Sequence, residues 1–264
     1  MTEPQIHHAV ARLRARAPLV HNITNYVVMN STANALLAIG ASPAMVHALP
    51  EVEGFAGIAQ ALVINIGTLS PLWVEAMEKA AVAANAAGVP WILDPVAAGA
   101  TQYRTKVSLR LLALRPAIVR GNASEIMALA GETGAAGKGV DSAHASEAAC
   151  DAATALARRA KCVAAVTGAV DYVTDGERMT GIANGDAMLS RVTGTGCMAT
   201  ALCGAFLGAP LPAFEAAVAG LVAIGVAAEQ AIIGAKGPAS FQVALIDALH
   251  NLDDAALAAG MRLR

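Results

Sequence analysis

The chain has 264 residues, 56% of them hydrophobic and 14% charged, with a net charge of −2. That length suits one large α/β domain or two small ones, and the charge gives no reason to expect a nucleic-acid partner. No breaker-free run of about 18 apolar residues stands out as a membrane span. The nearest, residues 216–228, is short and flanked by Glu215 and Glu229. The first residues carry charge and two histidines but not the apolar stretch of a signal peptide. Cys150, Cys162, Cys197 and Cys203 make no C-x-x-C pair, so a cytoplasmic, reducing setting is expected. So apolar a chain with so little charge is expected to hide surface in an oligomer.

Taken in order, residues 6–17 read as a short helix and 18–22 as an extended piece. Thr24 or Asn25 is expected to cap a helix to about Ala38, ended by Gly40. A buried strand at 44–46 and a helix near 51–60 follow. Residues 62–66 are a clear strand, and Ser70-Pro71 opens a helix reaching Gly88. Strands at 89–93, 117–119 and 162–166 alternate with helices near 106–114, 123–130 and 142–159. Continuous apolar strands between helices of this length predict a parallel sheet covered on both faces. Between residues 172 and 192 short strands are separated by Asp175-Gly176 and Asn184-Gly185, both hairpin-type dipeptides. Helices at 196–207, 211–234, 239–249 and 254–260 complete the chain. No linker or internal repeat appears, so residues 1–264 read as a single domain.

The stretch Val192-Thr-Gly-Thr-Gly-Cys197 leads into the first of those last helices. A Gly-rich turn at a helix start aims free N–H groups at one spot and adds the positive end of the dipole. Gly194, Thr195, Gly196 and Cys197 therefore form a candidate anion hole, and phosphate is the usual anion. A thiol in that first turn is expected to have a lowered pKa. The plain alternative is a tight turn with no ligand. The loop also fits G-x-G-x-x-G/A, with Glu215 about twenty residues on. It comes late in the chain, however, and Glu215 lies in Ala-rich helical sequence, so a dinucleotide site is not expected.

In an open α/β sheet, ligands bind beyond the carboxyl ends of the strands. Asn65, Gly67 and Thr68 follow one strand, Asp94 a second, Arg120 and Asn122 a third, and Thr167 and Gly168 a fourth. Glu125 comes one turn after Asn122. This set suits phosphoryl transfer, which needs positioning and charge neutralisation. Asp94 and Glu125 are candidates for Mg²⁺, Arg120 for a fork onto phosphate, and Thr167 for a nucleotide phosphate. Each also has a structural reading: Asp94 and Thr167 as turns, Glu125 as a first-turn acid, Arg120 as a surface cation. His21, His47 and His144 are read as hydrogen-bonding or surface residues. No Walker A loop and no protein-kinase motif set is present.

These residues resemble the hydroxyethylthiazole kinase family. The matching stretches are Val20-His-Asn-Ile-Thr-Asn-Tyr-Val-Val-Met-Asn30, Gly40-Ala-Ser-Pro-Ala-Met45, Asn65-Ile-Gly-Thr-Leu69 and Leu93-Asp-Pro-Val96 with Gly99-Ala-Thr101. Arg120-Gly-Asn-Ala123 with Glu125, Val166-Thr-Gly168 with Asp171, the glycine loop, Gly225-Val-Ala-Ala228 and Lys236-Gly-Pro-Ala-Ser-Phe-Gln242 continue the match. The resemblance implies a ribokinase-like three-layer α/β/α sandwich and ATP-dependent phosphorylation of 4-methyl-5-(2-hydroxyethyl)thiazole, feeding thiamine synthesis. It also implies a homotrimer with active sites at subunit interfaces. By position, Met45, Gly194 and Asn25 would belong to the thiazole pocket, Arg120 and Thr167 to the ATP site, and Asp94 and Glu125 to Mg²⁺. Cys197 would take the place of an aspartate base in related sugar kinases, and its expected pKa qualifies it. A relative acting on another heteroaromatic alcohol, such as a hydroxymethylpyrimidine, and a non-catalytic nucleotide or thiazole binder are the alternatives.

Overall fold

A computed structural model describes residues 5–131 and 142–264, with only the backbone of 142–147. Its sheet runs β2-β1-β3-β4-β5-β6-β7-β8. The strands are β1 (Leu19–Ile23), β2 (Ser42–Ala44), β3 (Ala61–Asn65), β4 (Trp91–Asp94), β5 (Ile118–Asn122), β6 (Val163–Thr167), β7 (Asp171–Thr174) and β8 (Met179–Ile182). The first six are parallel, and β7 and β8 run antiparallel at the edge. The helices are α1 (Ala9–Arg16), α2 (Met29–Ile39), α3 (Val52–Ile58), α4 (Pro71–Ala87), α5 (Gln102–Ala113), α6 (Ala123–Ala130), α7 (Ser142–Ala160), α8 (Thr195–Gly208), α9 (Ala213–Ile232), α10 (Pro238–Asn251) and α11 (Asp254–Gly260).

Side chains alternate across a strand, and here the alternation builds two cores. Val63, Ile92, Ile118 and Val163 point to the face covered by α2, α8, α9 and α10. Leu62, Ile64, Leu93, Val119 and Ala164 point to the face covered by α3 to α7. The result is the expected three-layer sandwich. Local chemistry sets the helix ends. Ser70 accepts from Trp73 N ahead of Pro71, and Gly88 closes α4 in the left-handed region. Thr101 caps α5, so that helix begins at 102 and not near 106.

Three expectations are corrected. Neither Thr24 nor Asn25 caps α2: the helix starts at Met29 after Val28, with no side-chain cap, and the Asn25 Oδ1 that a cap would use accepts from Val27 N ahead of the helix. The second strand is Ser42–Ala44 and not 44–46, since Ser42 N donates to Pro18 O and draws this segment alongside β1. Asp175-Gly176 does make the β7–β8 turn, with Gly176 at φ 94°. Asn184-Gly185 makes no hairpin: it leads from β8 into a 3₁₀ turn at Ala187–Arg191.

Candidate active site

Strand β1 lies between β2 and β3, so its neighbouring connections leave in opposite directions and open a crevice at the carboxyl ends. The period-2 alternation then decides what faces α8. Continuing from Val63, Ile92, Ile118 and Val163 in steps of two gives Asn65, Asp94, Arg120 and Thr167. All four strand-end residues therefore stand under the start of α8.

Asn65 is the centre of a closed network. Its Nδ2 donates to Asp94 Oδ2 at 2.8 Å and to Cys197 Sγ at 3.2 Å. Its Oδ1 accepts from Asn25 Nδ2 at 2.8 Å and from Gly67 N at 2.9 Å. Asn25 Nδ2 also reaches Cys197 Sγ at 3.6 Å, and Thr200 Oγ1 donates to Asp94 Oδ2 at 2.7 Å. Burial raises Asp94 to about 6, against the pull of Arg120 and Thr200. Burial and then the Asp94 charge push the Cys197 thiol up to about 11. The lowered value expected from the helix start alone is overturned: desolvation of a thiolate outweighs the dipole.

Beside this network lies the glycine loop. Gly194 adopts φ 86°, and a Cβ there would stand 2.6 Å from Val28 Cγ1. The Arg120 guanidinium rests on the loop: a Cβ on Gly196 would lie 3.0 Å from Nη1. Arg120 Nη2 donates to Thr167 Oγ1 at 2.8 Å, while its Nε is buried without an acceptor among the described residues. A buried cationic donor lacking its acceptor is costly, and an anion beside the loop would relieve that cost. A cleft of about 600 Å³ opens here, lined by Arg120, Thr167, Asp171, Gly185 and Gly196 among others. Asp171 accepts from Gly168 N and is raised to about 6, again mainly by burial.

Glu125 is firmly held. Its Oε2 accepts from Asn122 N in a capping box, and its Oε1 accepts from Ala97 N, both at 2.8 Å. Each oxygen keeps a lone pair, and Glu125 is near enough to Asp94 to raise it. No cluster of three or more metal-ligating side chains occurs among the described residues. Two carboxylates near an anion site still fit Mg²⁺, which retains waters and phosphate oxygens. Met45 stands half-buried just past β2 and takes no part in the network among the described residues. His21 donates from Nε2 to Val46 O, and His47 stacks on Trp73; neither faces a metal-ligand cluster. The His144 side chain lies outside the described residues. Glu215 is buried in α9 against Arg178, far from the role a dinucleotide fingerprint would give it.

Two contributors were not expected. Thr200, one turn beyond Cys197, has only its i+3 spacing to mark it. Arg104 donates to Ile66 O, Val96 O and Gly67 O, tying together the ends of β3 and β4. A cation in the first turn of a helix opposes the dipole, and that misfit was its one visible signal.

The profile described as the hydroxyethylthiazole kinase family matches residues 10–255. A hydroxyethylthiazole kinase from Granulibacter bethesdensis is 57% identical over 97% of this chain and 93% of its own. The chain belongs to the hydroxyethylthiazole kinase family. A second family member, from Cereibacter sphaeroides, is 57% identical over 95% of both chains. The solved structure of the hydroxyethylthiazole kinase protein from Pyrococcus horikoshii OT3 superposes with a TM-score of 0.91 at 47% identity, covering 98% of each chain. A Staphylococcus aureus pyridoxal kinase solved with AMP-PCP and pyridoxal shares the ribokinase-like fold at 16% identity, with a TM-score of 0.61 over 81% of this chain and 88% of its own.

Proposed function

We propose that this hydroxyethylthiazole kinase family member transfers the γ-phosphoryl group of ATP to the hydroxyl of 4-methyl-5-(2-hydroxyethyl)thiazole, a salvage step toward thiamine. The observation that carries the reading is the junction of two half-sites at the start of α8. On one side stand Asn25, Asn65 and Cys197; on the other stand Arg120, Thr167 and the glycine-loop amides. An alcohol held on the first side meets a phosphate held on the second.

In this reaction the alcohol oxygen bonds to the γ-phosphorus, the bond to the bridging oxygen breaks, and ADP leaves. The hydroxyl proton is released to solvent as the new bond forms. Arg120 forks onto phosphate oxygens, and Thr167 offers its hydroxyl to the nucleotide. The amides of Gly194, Thr195, Gly196 and Cys197 face the charge on the transferred group. Asp94 and Glu125 are our choice for Mg²⁺, which when bound would neutralise phosphate charge. Met45, Gly194 and Asn25 are assigned to the thiazole pocket. Cys197 occupies the base position, but a thiol near 11 keeps its own proton at neutral pH. A loose transition state asks little of a base, so we assign Cys197 to shaping the pocket more than to proton removal.

We further read residues 1–264 as one kinase domain acting in the cytoplasm as a homotrimer with sites at subunit interfaces. Tyr26 and Val27, next to Asn25, and Leu72 are each more than 60% exposed, which supports a covered surface beside the site. The helix Ala213–Ile232 is apolar and long enough to cross a membrane, but 83% of its 18-residue apolar window is buried in the protein. ADP release with Mg-ATP, with and without the thiazole alcohol, tests the function. Stimulation by the thiazole alone is expected. Stimulation by a hydroxymethylpyrimidine instead would move the substrate, and no turnover despite ATP binding would leave a binder.

A further inference from the structure

The far wall of the cleft is residues 183–187, which carry no helix or strand until the 3₁₀ turn begins at Ala187. Backbone without its own ladder must find partners elsewhere, and here they come from residues 260–264 and from α9. Residues 261–264 run along β8: Gly181 N donates to Arg264 O, Arg264 N to Gly181 O, and Ala183 N to Arg262 O, at 2.9 to 3.0 Å. That pairing covers a sheet edge, and by itself would need nothing more. The contacts continue past the edge, however, into the wall. Arg262 N donates to Asn184 Oδ1 at 2.8 Å, and Asn184 Nδ2 donates to Gly260 O at 2.7 Å. Glu229 Oε1, on α9, accepts from Gly185 N at 2.7 Å, from Asn184 Nδ2 at 3.1 Å and from Arg262 Nη2.

The helix has been shaped for this approach. A Cβ on Gly225 would stand 2.5 Å from Asn184 Cβ, and a Cβ on Gly260 would stand 2.9 Å from Val226. Gly185 itself adopts φ 127°, a conformation that only glycine takes easily. Two bare glycines thus let the wall and residues 260–264 press against α9 from either side of one carboxylate.

We propose that residues 260–264 latch the 183–187 wall onto α9, with Glu229 and Arg262 as positioning residues for nucleotide binding. The proposal rests on the reading that this cleft takes ATP. Residues 260–264 lie beyond the span matched by the family profile, which ends at 255, while the wall and Glu229 lie within it. The latch acts on one substrate only, because the residues assigned to the thiazole half-site follow β1 or β2, end β3 or open α8.

The test is calorimetric titration of Mg-ADP, and separately of the thiazole alcohol, into wild type, Glu229→Ala, Arg262→Ala and Arg262→Lys. Glu229→Ala should weaken Mg-ADP by about tenfold or more, the scale of one lost positioning bond. Arg262→Ala should weaken it about threefold, with Arg262→Lys recovering most of the loss. The thiazole alcohol should bind all four proteins alike. Equal weakening of both ligands, or unchanged Mg-ADP binding in both alanine variants, would overturn the latch. If Glu229→Ala fails to fold, Arg262→Ala decides, since the Arg262 side chain is 55% exposed and dispensable to the core. A wild type that takes the thiazole alcohol and no Mg-ADP would remove the underlying reading of the cleft, and the latch with it.

Discussion

At Cys197, two amide N–H groups converge on one sulfur. Those donors would serve a hydroxyl or a carboxylate as well as a thiol. Cys197→Ser is therefore expected to keep substantial activity, within about tenfold of wild type, and Cys197→Asp to match or exceed it. ADP-release kinetics check both; a loss of several orders of magnitude in Cys197→Ser, with the acceptor still bound, would make the thiol indispensable. Asp94 gives a pH prediction. Its pKa is raised from 3.8 to about 6, so the folded protein holds that proton more tightly than the unfolded chain. Stability from this group is complete below about 4, falls as pH rises to about 6, and is level above. Asp94→Asn, a neutral isostere, should then melt higher than wild type at pH 8, with the gain shrinking by pH 4.5. It should also lose at least about a hundredfold in turnover, because the proposed metal ligand is gone. Neither raised value was legible in the sequence. Burial decides both, and no local motif reports how deep a strand end will lie.

Among the elements, α8 and α9 carry the site from above, and their contact is unusually close. A Cβ on Gly220 would fall 2.6 Å from Cys203 N and 2.7 Å from Cys203 Cα. Backbone cannot give way as a side chain can. Gly220→Ala should cost about 3 kcal/mol, the upper end for overpacking, as read by a lower urea midpoint at unchanged m-value. The same packing explains what the sequence did and did not disclose. Strands β3, β4 and β6 were legible because residues buried on both faces are apolar throughout. Strand β2 was misplaced because Ser42-Pro43-Ala44 carries no strand signal, and pairing with β1 alone makes it one. Asn25 looks like a helix cap by residue type, yet its Nδ2 is held by Asn65 and Cys197 and its Oδ1 accepts from Val27 N ahead of the helix. Asn184-Gly185 looks like a hairpin, yet Glu229 claims it from 44 residues away. At each of these positions a long-range partner helps fix a structure that local preference does not announce, and each lies at or beside the proposed site.

For the whole molecule, the polar rim at the strand ends was legible because the rule about carboxyl ends needs only strand positions. Association is expected from the apolar composition and a trimer from the family resemblance, and both stand as proposals. If Tyr26, Val27 and Leu72 are covered by other copies, light scattering should give three chains per particle. Leu72→Arg should then lower both that mass and the specific activity; a fully active monomer would separate the site from the interface. One further contact carries a consequence for how the chain is made. Val10 N and Ala11 N, in α1, donate to the Asp254 carboxylate, 244 and 243 residues away, and α8, which α1 also packs against, begins only at Thr195. During synthesis at roughly 5–20 residues per second, the first helix must wait some tens of seconds for its partners. Through that interval Val10 and Leu13 can meet α2 but not α8 or α11, so α1 is the natural place for a nascent chain of this protein to meet a chaperone.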